Sequence, residues 1–164
     1  MKYLDLSEKE SLEAFCWSRA STRPRDAAII LTALATGTRA RELLNLTYQD
    51  LDLAKPSLKI KTLKGGKNRE IPISRKLANL LIASRRGDRI FPISYPRLHQ
   101  IWTAWRPSKL PFHALRHTFA MSAYNRTKDI NLVKHIMGHR SLSSTTVYLE
   151  AAFTDKQLKN AVGA

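Results

Sequence analysis

Two histidines, an arginine and a tyrosine in the last third of this chain have the spacing of a phosphodiester-cleaving site. His113 and Arg116 lie one helical turn apart, His139 follows a glycine, and Tyr148 comes nine residues later. A tyrosine hydroxyl can attack phosphorus and keep the broken strand as a covalent ester that can be rejoined. Arginine and histidine can stabilise the phosphate charge without a metal ion. The pattern therefore predicts cleavage of DNA strands.

The charge of the chain favours the same chemistry. Its 164 residues carry 28 Lys and Arg against 13 Asp and Glu, a formal net charge of +15. Such an excess in a folded domain predicts a polyanionic partner, most simply nucleic acid, with an acidic membrane surface as the alternative. No apolar stretch of about 18 residues could span a bilayer, and no signal peptide is recognisable. Cys16 is the only cysteine, which excludes an internal disulfide and favours a reducing, cytoplasmic setting.

Helical patterns dominate the first fifty residues. Ser7 and Glu10 read as a capping box that begins a helix with Leu12, Phe15 and Cys16 on one face. Residues 25–36 predict a buried helix that ends at Gly37, and residues 39–46 predict a short third helix. Glu42 in that third helix is predicted to be structural, orienting an arginine or a cap.

A small antiparallel sheet is predicted next, formed by residues 51–53, 58–60 and 70–73. The turn between its second and third strands contains Gly65 and Gly66, which we expect to supply positive φ angles. Lys64, Lys67 and Arg69 are expected to project from this hairpin as three cations.

The remaining segments again predict helices, at residues 74–86, 95–106, 113–126, 129–138, 141–149 and 154–162. Trp102 and Trp105, with Leu98 and Ile101, are interpreted as core or helix-face residues rather than base-stacking groups. The expected architecture is a single α+β domain, mainly α-helical, with a small three-stranded sheet.

Four motifs in this order resemble those of the tyrosine recombinases, the phage integrase family. They are the arginine motif at 36–43, the lysine hairpin at 64–72, the His-x-x-Arg motif at 113–120 and the Gly-His segment at 137–141, followed by Tyr148. The resemblance covers nearly the whole chain and implies the catalytic-domain fold of that family. Arg41 and Leu63 depart from residues that the family often has beside the first arginine and the lysine.

The resemblance also implies a role for each site residue. Tyr148 would be the nucleophile that forms a 3′-phosphotyrosyl bond, while His113 assists proton transfer. Lys64 would protonate the 5′-oxygen, with Lys67 left open as the alternative. The residues expected to clamp the scissile phosphate are Arg39, Arg116 and His139, and those expected to bind DNA elsewhere are Lys61, Lys67, Arg69, Arg41 and Arg140.

The implied reaction is site-specific recombination through a Holliday junction, for integration, excision or inversion, without metal, nucleotide or other cofactor. The partner would be double-stranded DNA, bound by a homo-tetramer whose protomers can be monomeric off DNA, with accessory DNA-bending proteins possible. The tail at residues 153–164 is expected to dock on a neighbouring protomer, with docking on its own protomer as the alternative. The N-terminal DNA-clamping domain of most members is not expected in this chain.

Alternative interpretations remain for these residues. A type IB topoisomerase would use the same set as a monomer, and an inactive DNA-binding regulator could keep the same scaffold. Taken one at a time, Tyr148 could be a half-buried aromatic, His113 and His117 surface or capping groups, and Arg39 with Glu42 a surface pair. Zinc binding by His113 and His117 is disfavoured because no third ligand lies nearby. The joint occurrence of all the motifs favours the enzyme.

Overall fold

The computed structural model describes residues 2–63, 65–139 and 155–163. In chain order its helices and strands are α1 (Leu6–Arg19), α2 (Pro24–Thr36), α3 (Ala40–Leu44), β1 (Leu51–Asp52), β2 (Ser57–Ile60), β3 (Arg69–Pro72), α4 (Arg75–Ala83), α5 (Tyr95–Trp105), α6 (Ala114–Thr127), α7 (Ile130–Met137) and α8 (Asp155–Val162). A 3-10 turn, Tyr48–Asp50, precedes β1. The predicted α+β class, mainly helical with a three-stranded sheet, is confirmed. The predicted helix at 141–149 lies outside the described residues.

Helix α2 is the central element of the core. It is apolar on nearly all sides, and Ile29, Ile30 and Ala33 are fully buried. α1, α4 and α6 pack around it. Because α2 is enclosed in this way, its C-terminal end has a fixed position, and the arginine motif begins directly after that end.

The end of α2 is fixed by Gly37. This residue has a φ of +65°, and its amide donates to the carbonyl of Ala33 at 3.0 Å. A Cβ at Gly37 would lie 2.2 Å from the ring of Phe119 in α6. The glycine therefore permits both the left-handed turn and the close approach of α2 to α6.

The sheet has the order β1-β2-β3 and is antiparallel throughout. Leu58 pairs with Ile71 and both are buried, whereas their neighbours Lys59 and Glu70 pair on the exposed face. The predicted alternation is therefore confirmed. In the hairpin between β2 and β3, Gly65 has a φ of +82°, but Gly66 lacks a positive φ, so that half of the expectation is wrong.

The start of α1 differs from the prediction. Its N-cap is Asp5, not Ser7, because the Asp5 carboxylate accepts from the Glu8 amide at 2.8 Å while the Glu8 side chain accepts from the Asp5 amide at 2.9 Å. Cys16 is buried inside this helix, and burial raises the pKa of its thiol to about 12. Phe15, expected on the buried face, is 38% exposed and packs its ring edge against Trp105.

Other expectations for the fold are confirmed. Leu98, Ile101 and Trp102 are buried in the core, and Trp105 packs against it. Across the described part of the chain, no helix is both long and apolar enough to cross a membrane.

Three glycine substitutions separate backbone strain from steric overlap. Gly37→Ala combines a positive φ with the overlap on Phe119 and should lower the free energy of unfolding by about 2–4 kcal/mol. Gly65→Ala has the positive φ alone, since no atom of the described residues beyond its chain neighbours lies within 4 Å of its Cβ position, and should cost about 1 kcal/mol. Gly87→Ala, the control, has neither feature and should change stability by less than about 0.5 kcal/mol. Urea unfolding measures all three, and equal losses at Gly37 and Gly65 would contradict the tight contact of α2 with α6.

Candidate active site

Arg116 occupies the place where two helices end. Its Nη1 donates to the carbonyl of Gly37, after α2, at 2.6 Å, and its Nη2 donates to the carbonyl of Met137, the last residue of α7, at 2.8 Å. The residue is 1% exposed. Helix C-termini carry partial negative charge and unpaired carbonyls, so they stabilise a buried guanidinium. The Arg116 side chain is thus held by backbone groups of two separate motifs.

His139 is the neighbour of this guanidinium. Its Nε2 lies 3.2 Å from Nη2 of Arg116. An arginine can only donate, so this contact assigns Nε2 as the acceptor and requires an imidazole with its proton on Nδ1. Burial and the positive charges of Arg116, Arg39 and Arg69 lower the pKa of His139 to about 4. The ring is therefore neutral at pH 7.

A buried ion pair lies beneath the site. Glu42 accepts from Nη2 of Arg69 at 3.1 Å and from Nη1 at 3.2 Å, and both side chains are fully buried. Burial alone would raise the pKa of Glu42, but the bonds to Arg69 and the positive charges of Arg69 and Arg116 lower it below its ordinary value. Glu42 also accepts from the Arg39 amide at 2.8 Å and lies 3.4 Å from Nη1 of Arg39. One carboxylate therefore positions two arginines, and its predicted structural role is confirmed.

The expectation that Arg69 projects from the hairpin to bind DNA is wrong. Its Nε donates to the carbonyl of Ile136 in α7 at 2.9 Å, and its Nη1 donates to the Thr62 hydroxyl at 3.1 Å. Arg69 points inward because Ile71, two residues along the same strand, also points inward. The sequence analysis missed that Arg69 is buried. The alternation of inward and outward side chains along the strand was the signal that could have revealed it.

The hairpin is attached directly to the end of α7. The amide of Lys67 donates to the carbonyl of Gly138 at 3.1 Å. Gly138 has a φ of +70°, and a Cβ there would lie 2.8 Å from both the Arg69 guanidinium and the Lys67 carbonyl. Only glycine fits at this crossing, which lies directly before His139.

Arg39 and His113 face a common open cavity of about 550 Å³. Its walls also include Arg41, Tyr95 and His99. The Arg39 side chain is 39% exposed, in contrast to the buried Arg116. Loss of water around part of the His113 ring and the charges of Arg116 and Arg39 lower the pKa of His113. This imidazole is therefore neutral at pH 7 and able to accept a proton.

The rings of His113 and His117 meet edge to face, with centroids 4.7 Å apart. Burial, with the charges of His113 and Arg116, lowers the pKa of His117 to about 4. Within residues 2–63, 65–139 and 155–163, no group of three or more His, Cys, Asp or Glu is placed to hold a metal ion.

The remaining site residues predicted from the sequence fall into two groups. Lys61 and Arg41 are exposed: Nζ of Lys61 lies 3.5 Å from Asp50, and Arg41 stacks 4.6 Å over the ring of Tyr95. Lys67 is exposed on the hairpin. Lys64, Arg140 and Tyr148 lie outside the described residues.

Comparison with known proteins identifies the family of this chain. A family model described as the phage integrase family matches residues 2–155. The chain belongs to the phage integrase family. Among its relatives, tyrosine recombinase XerA of Pyrococcus furiosus is 34% identical over 155 residues, which cover 84% of this chain and 54% of that protein. Tyrosine recombinase XerD of Vibrio cholerae is 30% identical over 183 residues, which cover 95% of this chain and 60% of that protein.

Solved structures of phage integrase family members have the same fold. A crystal structure of XerA recombinase matches with a TM-score of 0.77 at 25% identity, covering 98% of this chain and 62% of that one. The catalytic domain of bacteriophage HP1 integrase matches with a TM-score of 0.72 at 28% identity, covering 99% of this chain and 94% of that one. The chain thus spans a little over half the length of the Xer relatives and nearly all of an integrase catalytic domain.

The Glu42–Arg69 pair can be tested by a double-mutant cycle. Arg69→Met leaves a buried carboxylate without its main partner and should lower the free energy of unfolding by about 3–5 kcal/mol. Glu42→Gln should cost a similar amount, because it leaves the Arg69 charge buried. The double variant should lose less than the sum of the two single losses, because no isolated charge remains. Additive losses in urea unfolding would show that the pair is not coupled.

Acid should destabilise the fold as the pH falls below 6.5, because two histidines are neutral in the folded state. The pKa values of His117 and His139 are about 4 in the folded state, against an ordinary value of 6.5. Between these values the unfolded chain binds more protons, so stability is full above pH 6.5 and falls as the pH falls. For buried His139 the loss from pH 7 to pH 5 should be about 2 kcal/mol. His139→Gln should flatten this slope in urea unfolding, whereas an unchanged slope would contradict the assigned neutral state.

Proposed function

We propose that this chain is the catalytic domain of a site-specific DNA recombinase that cleaves and rejoins strands through a 3′-phosphotyrosyl intermediate. The observation that carries the proposal is the Arg116 guanidinium, buried between the ends of α2 and α7 beside His139. A guanidinium fixed in this way is oriented before any substrate binds, as transition-state stabilisation requires. Family membership and the Xer relatives support the same reaction class.

In the proposed cleavage step, the Tyr148 hydroxyl oxygen attacks the scissile phosphorus. A bond forms between that oxygen and phosphorus, and the bond from phosphorus to the 5′-oxygen breaks. The tyrosine proton passes to His113, which is suited to accept it because its lowered pKa keeps the ring neutral. The ester keeps the energy of the broken bond, so rejoining needs no nucleotide.

The phosphate would be bound from two sides. Arg116 would supply a rigid, buried contact, while Arg39, which is partly exposed, would close on the phosphate from the cavity. The negative charge of a bound phosphodiester would raise the pKa of His139 and allow it to donate a hydrogen bond as charge builds on the oxygens. Glu42 would keep Arg39 and Arg69 in place without touching the substrate.

The 5′-oxygen needs a proton as it leaves, and we assign this role to Lys64, with Lys67 as the alternative. The Lys67 backbone is hydrogen-bonded to Gly138, next to His139, so its side chain starts close to the site. Both lysines belong to the hairpin, and a lysine on such a loop can reach a DNA groove. Exposed Lys61, Lys67 and Arg41 are proposed DNA contacts, whereas buried Arg69 is not.

The assembly around DNA is also a proposal. One neighbour with the same fold, at 25% identity, is a XerH recombinase bound to its difH substrate, which supports DNA as the partner here. We infer a tetramer that exchanges strands through a Holliday junction. Its protomers would be linked by the tail at 153–164, where Val162 in α8 is 78% exposed. No observation favours a topoisomerase or an inactive regulator.

A suicide substrate, which traps the covalent intermediate, tests the nucleophile. Tyr148→Phe removes only the attacking oxygen, so the covalent protein–DNA adduct should disappear while DNA affinity stays within about twofold of the wild type. Arg39→Lys should retain little cleavage, because an ammonium cannot donate a bidentate pair. A normal yield of adduct from the Phe variant would exclude Tyr148.

A 5′-bridging phosphorothiolate substrate separates the two lysines in the same assay. A thiolate leaves without a proton, so the variant that lacks the general acid should regain cleavage on this substrate and on no other. Lys64→Ala is expected to be rescued, and Lys67→Ala is its matched control on the same hairpin. Rescue of Lys67→Ala alone would move the general acid to Lys67.

A further inference from the structure

A second strongly basic cavity lies at the opposite end of α2 from Arg116. It is open, has a volume of about 540 Å³, and is formed by the start of α2, the end of α4 and the segment that leads into α5. We call it the arginine cavity, after the six arginines in its wall: Arg23, Arg25, Arg85, Arg86, Arg89 and Arg97. None of them belongs to the site described above.

The charge of the arginine cavity is poorly balanced. Among its described lining residues Asp26 is the one carboxylate, and it lies 4.0 Å from Arg25. Several like charges around one concavity repel each other, so an anion bound there would be strongly stabilised. The positive end of the 13-residue helix α2, which begins at Pro24, adds to the same field.

Three of these guanidinium groups are held in position by neighbours. Nη2 of Arg89 donates to the Leu44 carbonyl at 2.8 Å, and Nη1 of Arg97 donates to Gln100 at 3.2 Å. Arg85 stacks on the ring of Tyr48 with its central carbon 4.6 Å from the ring centroid. Each contact leaves other N–H groups able to donate. The described lining contains no lysine, and arginine is the residue that binds phosphate oxygens in bidentate fashion.

We propose that the arginine cavity binds the sugar–phosphate backbone of DNA at a second point, away from the scissile phosphate. The proposal rests on the proposed function for the position of the cleaved bond. Helix α2 spans the two places, since Gly37 at its C-terminal end accepts from Arg116 and its N-terminal residues line the arginine cavity. Thirteen residues at 1.5 Å each give about 20 Å, or roughly six base pairs of duplex.

The first turn of α5 lies between the two cavities and contributes residues to both. Tyr95 and His99 face the cavity of Arg39 and His113, whereas Arg97, on the other side of the same turn, faces the arginine cavity. One continuous duplex that crosses the exposed start of α5 can therefore contact both.

The lining favours phosphate over an acidic protein segment. Protein partners usually bury an aromatic or aliphatic anchor, but the described lining of the arginine cavity contains no aromatic residue and its Ile90 is only 4% exposed. A phosphate needs only the charge and the N–H donors that this wall supplies.

The test uses the full chain with Arg85→Gln/Arg86→Gln, two exposed positions after α4. The matched control is Arg75→Gln/Arg126→Gln, which removes equal charge elsewhere on the surface. Duplex affinity is measured at several salt concentrations, with arms of 3, 6, 9 or 12 base pairs on either side of the scissile phosphate. The cavity variant should lose at least fivefold in affinity, and the slope of log K against log salt should shrink by about one to two. The loss should occur only when one arm exceeds about six base pairs.

An equal loss in the control, or a loss that does not depend on arm length, would overturn the proposal, since either indicates only the general field of the protein. Unchanged DNA affinity with lost binding of a polyglutamate peptide would overturn it in favour of a protein partner.

If the double variant has a lowered Tm, Arg97→Gln on α5 repeats the test from another element. Adduct yield at saturating DNA should stay at the wild-type level. The affinity difference between the wild type and the cavity variant can depend on arm length even if the wild type forms no covalent adduct. In that case the proposed function fails, but the proposal that the arginine cavity binds DNA is supported.

Discussion

The buried pair of Glu42 and Arg69 is the interaction on which the rest of the site depends. It brings α3, the β2–β3 hairpin and the end of α7 together, because Arg69 binds both Glu42 and the Ile136 carbonyl. A cluster of cations without this carboxylate would be unstable in a protein interior. With it, Arg39 and Arg116 can both lie near His139 without a bound anion between them.

Helix ends supply the remaining stabilisation. Arg116 joins the carbonyl ends of α2 and α7, so the guanidinium gains two strong hydrogen bonds and each helix gains a partner for a carbonyl that its own turns leave unpaired. Burial holds the pKa of His139 low, and the positive charge of Arg116 lowers it further. One side chain therefore both links the ends of two helices and contributes to the electrostatics of the site.

The sequence was enough to predict the sheet and the helices within the described residues, because apolar periodicity and motif order are local signals. Arg39, His113, Arg116 and His139 were named from such signals, and the structure brings them together. The alternation along β3 could have shown that Arg69 turns inward, but not that its partner is Glu42, 27 residues away, because that pairing is not a local signal. Asp5, and not Ser7, is the N-cap of α1, because the side chains of Asp5 and Glu8 each accept a hydrogen bond from the other residue's backbone amide. The arginine cavity was likewise hidden, since its wall comes from three separate segments of the chain.

The bonds that hold Arg116 are made to the carbonyls of Gly37 and Met137, which belong to the main chain. No codon change can delete a main-chain carbonyl, so genetic drift at those two positions cannot remove the acceptors themselves. Drift can only displace them, and the crowded contacts around Gly37 and Gly138 make displacement costly. Mutations that disrupt the geometry of the site should therefore collect in a few codons, among them those of its arginines, Glu42 and the two glycines. Positions on the surface away from these codons are open to change without loss of the site.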